Sequence, residues 1–445
     1  MSQVNQRRQF KNPIWGLGSF QALAMFRRGL FYTFLSIYIR NFLGLSVTAT
    51  TLYATIPMIL SVIGQNFIWG PLSDKIQKRR TLIIVGEVVA GILLILVWFL
   101  HTLPSDLKVS GYIVIAGLTF IELFWSMSNI GWSALVSDLY PSKERSVVMG
   151  WLNSIGGVGR IIGATAGGLL YDLAGTTYDG WGFDKGPLFI VASLFMFLST
   201  IPMIYTPEGG NKSQKGEINS QKENILKDNP TLNIDRNLTR KIYIIFIISL
   251  IFINFGRNSI ATLQSQYLTL ESGFSLEPIT LSWIANSRSV AVIIFGLITG
   301  WICKKIGEDI AVVVGSLVAV ISLLLYSLPV GIGSIYGANV GLGISDLMVY
   351  AASYTYASKL IPFEKRARLF ALYNATFFLS WGLSGTLVIA PVVDLMLFRG
   401  FTEVVAYRMS FIIAGGISLI GLGIFFGLVL YTKKIKIRKE ILNLY

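Results

Sequence analysis

Long apolar stretches alternate with short polar connectors along almost the whole chain. Each stretch has about 20 residues or more, which is the length that an α-helix needs to cross the hydrocarbon core of a bilayer. The pattern predicts twelve spans, near residues 14–40, 48–71, 81–103, 109–137, 146–172, 187–206, 241–268, 278–302, 308–328, 332–358, 368–393 and 406–432. The expected fold class is an all-α integral membrane protein, with the lipid bilayer as its main partner.

The composition agrees with this expectation. The 445 residues are 53% hydrophobic and 13% charged, and the mean hydropathy is +0.64. Soluble domains usually carry about a quarter charged residues, so a soluble multidomain protein is excluded.

The formal charge of +14 would indicate a nucleic-acid partner in a soluble protein. Here the cations gather in alternate connectors and near both ends of the chain. The positive-inside rule places those connectors and both termini in the cytoplasm, and anionic lipid accounts for the excess charge. We therefore expect a multi-pass protein of the plasma membrane that binds no nucleic acid.

A polar segment rich in Asn, Lys, Glu, Ser and Gln divides the chain after the sixth span. Such a composition cannot build a core, so it predicts a flexible linker. The halves repeat, because Arg28 and Tyr38 recur as Arg257 and Tyr267 at one offset. The expected organisation is a cytoplasmic N-terminus (1–13), a six-helix bundle (14–206), a cytoplasmic linker (207–240), a second six-helix bundle (241–432) and a cytoplasmic tail (433–445).

The residue types argue against an enzyme or a cofactor protein. One cysteine, Cys303, and one histidine, His101, are too few for a Cys/His metal site and exclude an internal disulfide. The phosphate-binding pattern G-x-x-x-x-G-K-[ST] does not occur either. We expect no catalytic activity, no cofactor and no bound metal.

The charged connector from Trp69 to Arg80 carries the strongest motif. It resembles the signature loop between spans 2 and 3 of the major facilitator superfamily, G-x-L-x-D-x-x-G-[RK]-[RK], with Gln77 in place of the second glycine. The resemblance implies a monomeric twelve-helix transporter with two pseudo-symmetric six-helix bundles that works by alternating access. It also implies a gating loop that latches the halves through Asp74, with Arg145 as a partner on the same side. The gating-loop candidates are Gly70, Asp74, Lys75, Arg79 and Arg145.

Glycines recur along the fifth predicted span, at Gly150, Gly159, Gly163, Gly167 and Gly168. Their spacing resembles the glycine pattern of exporters of this superfamily, with Ala164 where that pattern has proline. The resemblance favours export. Glycines four residues apart also make a flat helix face for close packing, and that explanation holds for either direction of transport.

Several ionisable residues fall near the middle of predicted spans, where their burial is costly and marks functional candidates. The resemblance implies that spans 1, 4, 7 and 10 line a central cavity. Two of these helices then bring arginines and the other two bring carboxylates to one chamber. The candidates for solute binding or coupling are Arg27, Arg28, Glu122, Arg257, Arg288 and Asp346, with Trp125 and Tyr350 one turn from an acid.

Three interpretations of this cluster remain open. Glu122 or Asp346 carries protons, since burial and a neighbouring arginine shift the affinity of a carboxylate for protons in opposite directions. Alternatively, the arginines bind an anionic solute through paired hydrogen bonds. In the third, Arg27 or Arg28 pairs with Glu122, and Arg257 or Arg288 pairs with Asp346, only to hold the helices together. Arg160 in span five is the residue most consistent with a purely structural role.

The expected function is proton-coupled export of a small organic solute, amphipathic or anionic. In this mechanism Arg28 and Arg257 hold the solute or a counter-charge, and Glu122 and Asp346 exchange protons. The alternative function is uptake or exchange of an organic anion, a carboxylate or a phosphate ester, that is bound by the cavity arginines.

Overall fold

The computed structural model describes residues 2–140, 142–174, 178–210, 236–361 and 366–442. The described residues are 88% helical and form no strand. Twelve long helices account for the predicted spans within the described ranges, so the all-α fold class is confirmed. In the first half they are α1 (Ser2–Ile37), α2 (Val47–Ile63), α3 (Arg79–His101), α4 (Leu107–Leu139), α5 (Ser142–Tyr171) and α6 (Pro187–Ile204).

The second half repeats this order after the linker. Its helices are α7 (Arg236–Ser259), α8 (Pro278–Ile306), α9 (Glu308–Ser327), α10 (Ile332–Leu360), α11 (Arg366–Ser384) and α12 (Glu403–Leu442). Helix α2 continues through the wider turn Gly64–Trp69 into Gly70–Ile76, and α11 continues through Gly385–Ile389 into Ala390–Phe398. Helices α2 and α11 contact each other across the halves.

Three helix ends lie beyond the predicted spans. Helix α1 begins at Ser2, α7 at Arg236, and α12 continues to Leu442. Apolar periodicity locates only the part of a helix that needs an apolar environment, so polar turns beyond it were assigned to the N-terminus, linker and tail. Residues 211–235 of the linker lie outside the described residues.

Ten helical segments in the described chain are long and apolar enough to cross a membrane. Helices α1 and α5 are not among them. Both carry arginine near their middle, Arg27 and Arg28 in one and Arg160 in the other, and α5 is rich in glycine. Their polarity is explained by position, because the two helices pack against each other and α5 also packs against α8 of the other half.

Successive helices run in opposite directions, so the bundle has two ends. We call the end at which α1 begins and α12 ends the termini face, and the opposite end the distal face. Side chains link neighbouring helix ends at the distal face, as in the 2.9 Å hydrogen bond between Tyr38 Oη and His101 Nε2. The loop between α2 and α3 therefore lies at the termini face, beside the end of α6, where Arg80 donates to the backbone oxygen of Thr206.

The halves are joined at the distal face. Asp394 of α11 accepts hydrogen bonds from the backbone N–H groups of Val47 and Thr48 at the start of α2. Thr51 and Thr55 of α2 both hydrogen-bond Thr386, at 2.7 and 2.6 Å. Further contacts there are Tyr178 Oη to Leu276 O, Ser265 Oγ to Thr33 O, and the 3.6 Å ion pair of Arg40 and Glu403.

A further contact joins the halves at mid-height. Asn286 of α8 donates to Thr165 Oγ1 and to the backbone oxygen of Ile161 on α5. Because the contacts described above lie at the distal face or at mid-height, we infer that the cavity between the halves is closed at the distal face and open at the termini face.

Candidate functional site

The second half contributes a tight arginine–aspartate cluster to the cavity. Asp346 of α10 pairs with Arg257 of α7 at 3.2 Å and with Arg288 of α8 at 2.6 Å. Arg288 donates to the same carboxylate oxygen through Nε and Nη2, while Arg257 takes the other oxygen. Both oxygens of Asp346 are therefore occupied by guanidinium groups.

Arg257 is fixed from several sides. Its side chain is only 2% exposed, and it donates to the backbone oxygen of Ser345 and to Asn254 Oδ1. Asn254 in turn donates to Thr376 of α11. Because every bonded neighbour of Arg257 is itself bonded, Arg257 acts as a fixed counter-charge for Asp346.

In the first half, one indole ring holds two arginines. The guanidinium carbons of Arg27 and Arg28 each lie 4.1 Å from the centroid of the Trp125 ring on α4, within cation–π range. Arg27 is 4% exposed, and its Nε and Nη2 have no hydrogen-bond partner, whereas Arg28 is only partly buried. Arg28 is therefore the more accessible member of the pair.

The same indole is held from behind by Glu87 of α3. Trp125 Nε1 and Ser128 Oγ both donate to Glu87 Oε1 at 2.8 Å. Glu87 is fully buried, and its Oε2 has no partner. The spans that the sequence placed at the cavity did not include α3, so the role of Glu87 in positioning Trp125 was missed.

Glu122 of α4 stands apart from these fixed groups. It is partly exposed and accepts a hydrogen bond from Ser61 of α2, and its strongest charged neighbour is Arg28. Within the described chain, neither Arg27 nor Arg28 makes a direct ion pair with it. The predicted structural pairing is thus observed for Asp346 but not for Glu122.

Arg160 of α5, to which the sequence assigned a structural role, is exposed, and the described residues provide no ion pair for it. Its electrostatic neighbours are Arg288, Arg28 and Asp346, so it lies between the clusters of the two halves.

The charges around the cavity do not balance. Five arginines (Arg27, Arg28, Arg160, Arg257 and Arg288) face three carboxylates (Glu87, Glu122 and Asp346), which leaves an excess of two positive charges. Charge of this size in an apolar bundle is costly unless water or a counter-ion accompanies it. The cavity is therefore suited to a solute with a negative group.

Aromatic side chains lie beside these charges. Trp381 of α11 is 5.6 Å from the guanidinium of Arg288, and Phe377 is 6.0 Å from that of Arg257. Tyr350, which is exposed, contacts Phe377 with a centroid distance of 5.3 Å. Tyr350 is therefore linked through Phe377 to the cluster of Arg257 and Asp346.

At the termini face, the loop between α2 and α3 is bonded within its own half. Arg79 is buried and pairs with Asp74 at 3.2 Å and with Asp138 of α4 at 3.3 Å, and it also bonds Ser73. Asp74 is 79% exposed, and Lys75 is exposed. Arg79 therefore fixes the loop to α4. The side chain of Arg145, predicted as the partner of Asp74, lies outside the described residues.

The glycines of α5 have a clear packing role. A Cβ added at Gly159, Gly163 or Gly167 would meet a backbone oxygen of α1, at distances of 2.1, 1.9 and 2.6 Å. Gly168 instead meets the start of α8 in the other half, and Gly150 has open space around it. The four-residue spacing thus lets α1 and α5 approach closely, which is the alternative that the sequence left open.

Comparison with known proteins adds a family match. The family model described as Major Facilitator Superfamily matches residues 17–385. Multidrug resistance protein 2 of Bacillus subtilis (strain 168) is 26% identical over 199 residues, which cover 43% of this chain and only 46% of that protein. Multidrug resistance protein MdtG of Escherichia fergusonii is 24% identical over 367 residues, which cover 79% of this chain and 82% of that protein.

Solved structures share the fold at low sequence identity. A bacterial homolog of the human lysosomal transporter Spinster, inward-facing and unoccupied, has a TM-score of 0.66 and 14% identity over 94% of this chain and 97% of that chain. A POT family transporter in complex with a thioalcohol-conjugated peptide has a TM-score of 0.65 and 16% identity over 95% of this chain and 96% of that chain. At this identity the likeness establishes the arrangement of helices.

Proposed function

Because the chain belongs to the Major Facilitator Superfamily, we propose that it exports a small amphipathic or anionic organic solute in exchange for protons. It is a multi-pass membrane transporter, not an enzyme. In the proposed orientation both termini lie in the cytoplasm at the plasma membrane, so the open termini face receives solute from inside. The two multidrug resistance relatives support export of organic solutes.

The observation that carries this proposal is the state of Glu122. Asp346 is needed as the counter-charge of Arg257 and Arg288, and Glu87 is buried and bonded to Trp125. Glu122 alone combines partial exposure to the cavity with freedom from a direct ion pair. A carboxylate in this position can gain or lose a proton without leaving a paired arginine uncompensated, so we assign proton exchange to Glu122 rather than to Asp346.

Alternating access follows from the contacts between halves. In the cycle we propose, the bonds of Asp394, Thr51 and Thr55 at the distal face break as the termini face closes. Asp74, which is exposed here, then meets the second half and latches the closed termini face. The seam of α5 and α8, bonded at mid-height through Asn286, serves as the axis of this movement.

Transport in proteoliposomes tests the proposal. Protein is reconstituted with an inside-acid pH gradient, and amphipathic organic solutes are added while an internal pH dye is followed. A transported solute should dissipate the gradient with the wild type and with Glu271→Gln, which changes an exposed acid at the distal face. Glu122→Gln should abolish the response. A solute that moves but leaves the gradient unchanged would contradict proton exchange.

A second candidate function is exchange of an organic anion without protons. The excess of arginine over carboxylate favours it, because an empty cavity with two uncompensated positive charges is costly to enclose between the halves. A bound anion would lower this cost, so the carrier would cross the membrane loaded in both directions. Transport that requires an organic anion on the opposite side and ignores the pH gradient would establish this function instead.

A further inference from the structure

Neither the proton exchange nor the anion exchange described above assigns a specific role to Arg160. It lies in the middle of α5, and its side chain is exposed although the helix is otherwise apolar, small or weakly polar at this height. The described residues provide no carboxylate partner for it. Neither the proton exchange assigned to Glu122 nor the pairing of Asp346 uses it.

The direction of Arg160 follows from the neighbouring positions of α5. Exposed apolar side chains on this helix, Trp151, Val158, Ile162 and Leu169, mark the face toward lipid. Arg160 is two residues from both Val158 and Ile162, hence about 200° around the helix and on the opposite side. Its exposure is therefore exposure to the cavity, not to lipid.

The backbone around Arg160 places it at the seam between the halves. Its own carbonyl oxygen lies against Gly29 of α1, and the next residue, Ile161, accepts a hydrogen bond from Asn286 of α8. Asn286 and Arg288 belong to the same helix. Arg160 thus lies where the first half meets α8, and Arg288 is one of its electrostatic neighbours.

The surrounding charges leave Arg160 short of a counter-charge. The groups with which it interacts are Arg288, Arg28 and Asp346. Both oxygens of Asp346 are already taken by Arg257 and Arg288. Water can solvate Arg160 while the termini face is open, but closing that face would remove the water and leave the charge unsupported.

We propose that Arg160 forms an anion subsite with Arg288 and Arg28, which binds the carboxylate or phosphate group of an organic anion at the seam between the halves. A guanidinium fork matches such a group with paired hydrogen bonds. Trp381, which is exposed beside Arg288, offers an apolar surface for the rest of the molecule. The inference rests on the cavity being the solute site, which both candidate functions require.

A solute bound at this subsite would favour closure of the termini face. An anion held by Arg160 and Arg288 would bridge α5 and α8 and replace the water that solvates these arginines. Closure with solute bound is then favoured over closure of the empty cavity. This deepens the anion-exchange candidate, since it gives a physical reason for an empty carrier to remain open.

A matched pair of probes tests the subsite. Naphthyl phosphate and naphthol share the same apolar body and differ in the anionic group. Their binding to purified full-length protein in detergent is measured by isothermal titration calorimetry, at one salt concentration. Binding is compared for the wild type, Arg160→Gln and Arg160→Lys, and for Arg399→Gln, which changes an exposed arginine at the distal face. Thermal unfolding followed by circular dichroism shows whether each variant is folded.

We expect the phosphate to bind the wild type and Arg399→Gln at least tenfold more tightly than naphthol does. Arg160→Gln should lose that advantage, while Arg160→Lys should recover part of it because the charge returns without the fork. Equal binding of the two probes to the wild type would overturn the subsite. Unchanged phosphate affinity in a folded Arg160→Gln protein would overturn it as well.

The same variants separate this inference from the proposed function. If Arg160→Gln and the wild type bind the phosphate equally while a solute still dissipates the pH gradient, proton-coupled export stands and the subsite fails. If the phosphate binds through Arg160 but no solute moves protons in the wild type, the subsite stands and proton exchange fails.

Discussion

Asp394 of α11 caps the first turn of α2 in the other half, and its Oδ2 lies 2.8 Å from the backbone nitrogen of Thr48. The other oxygen accepts from the backbone nitrogen of Val47 at 3.0 Å. A carboxylate at a helix N-terminus satisfies unpaired N–H groups and is favoured by the helix dipole. This contact joins the halves only while the distal face is closed.

Asp394→Asn should therefore favour opening of the distal face. Loss of a charge-assisted contact of this kind weakens the closed state by about 1.5–3 kcal/mol, which is roughly tenfold or more in the conformational equilibrium. The measurement is labelling of Thr262→Cys, in a Cys303→Ser background, by a membrane-impermeant maleimide. Thr262 is buried near the closed face, and its hydroxyl has no partner, so the cysteine removes no bond.

Faster labelling is expected with Asp394→Asn and not with Glu271→Gln, which changes an exposed acid at the same face. Equal labelling rates in the two variants would show that the Asp394 contact does not hold the gate.

Asp346→Asn should destabilise the protein strongly. The substitution leaves Arg257, which is 2% exposed, without its counter-charge, and breaking a buried pair in this way costs about 3–5 kcal/mol. Glu122→Gln removes no direct ion pair and should change stability by less than about 1 kcal/mol. Thermal unfolding in detergent compares the two. A larger loss in Glu122→Gln than in Asp346→Asn would contradict the assignment of structural and exchangeable carboxylates.

Gly163→Ala should weaken the packing of α1 against α5. The added methyl group would lie 1.9 Å from the backbone oxygen of Phe26, so the helices must separate, at a cost of about 1–3 kcal/mol. Gly150→Ala is the matched control, because a Cβ there meets nothing within 4 Å and alanine favours the helix. The melting temperature should fall only in the first variant, and an equal effect of both would mean that the close approach is not needed.

Arg79→Gln should loosen the loop at the termini face. It removes ion pairs with Asp74 and Asp138 from a buried side chain, which should cost about 1.5–3 kcal/mol and slow transport. Lys75→Gln changes an exposed cation of the same loop and should be nearly neutral. Initial transport rates and proteolysis of the loop measure the effect. If Lys75→Gln is as damaging as Arg79→Gln, the net charge of the loop matters more than its bonds.

Apolar periodicity and the internal repeat were enough to predict the helices and the central arginines. Arg28 and Arg257 are repeat equivalents. The sequence offered Glu122 as a partner of the first and Asp346 as a partner of the second, but spacing along one chain does not decide whether such a pair forms. The structure pairs Arg257 with Asp346 and leaves Arg28 on Trp125.

The surroundings of Glu87 and Arg160 could not be predicted from the sequence. Glu87 belongs to α3, which the resemblance did not include among the cavity helices, and its bond to Trp125 depends on the rotation of α3 against α4. Arg160 was expected to have a purely structural role, but its side chain is exposed. Its exposure depends on the angle of α5, since the glycine face that binds α1 turns Arg160 toward the cavity.

The number of protons exchanged when solute binds tests the assignment of proton exchange to Glu122 most directly. Purified protein in weakly buffered detergent solution is mixed with a transported amphipathic solute while the pH is recorded. Linkage requires that a solute which replaces a proton release it on binding, so we predict release of about one proton per bound solute in the wild type and in Glu271→Gln. Glu122→Gln should bind solute and release none. Release that persists in Glu122→Gln, or proton uptake by the wild type, would contradict the assignment of proton exchange to Glu122.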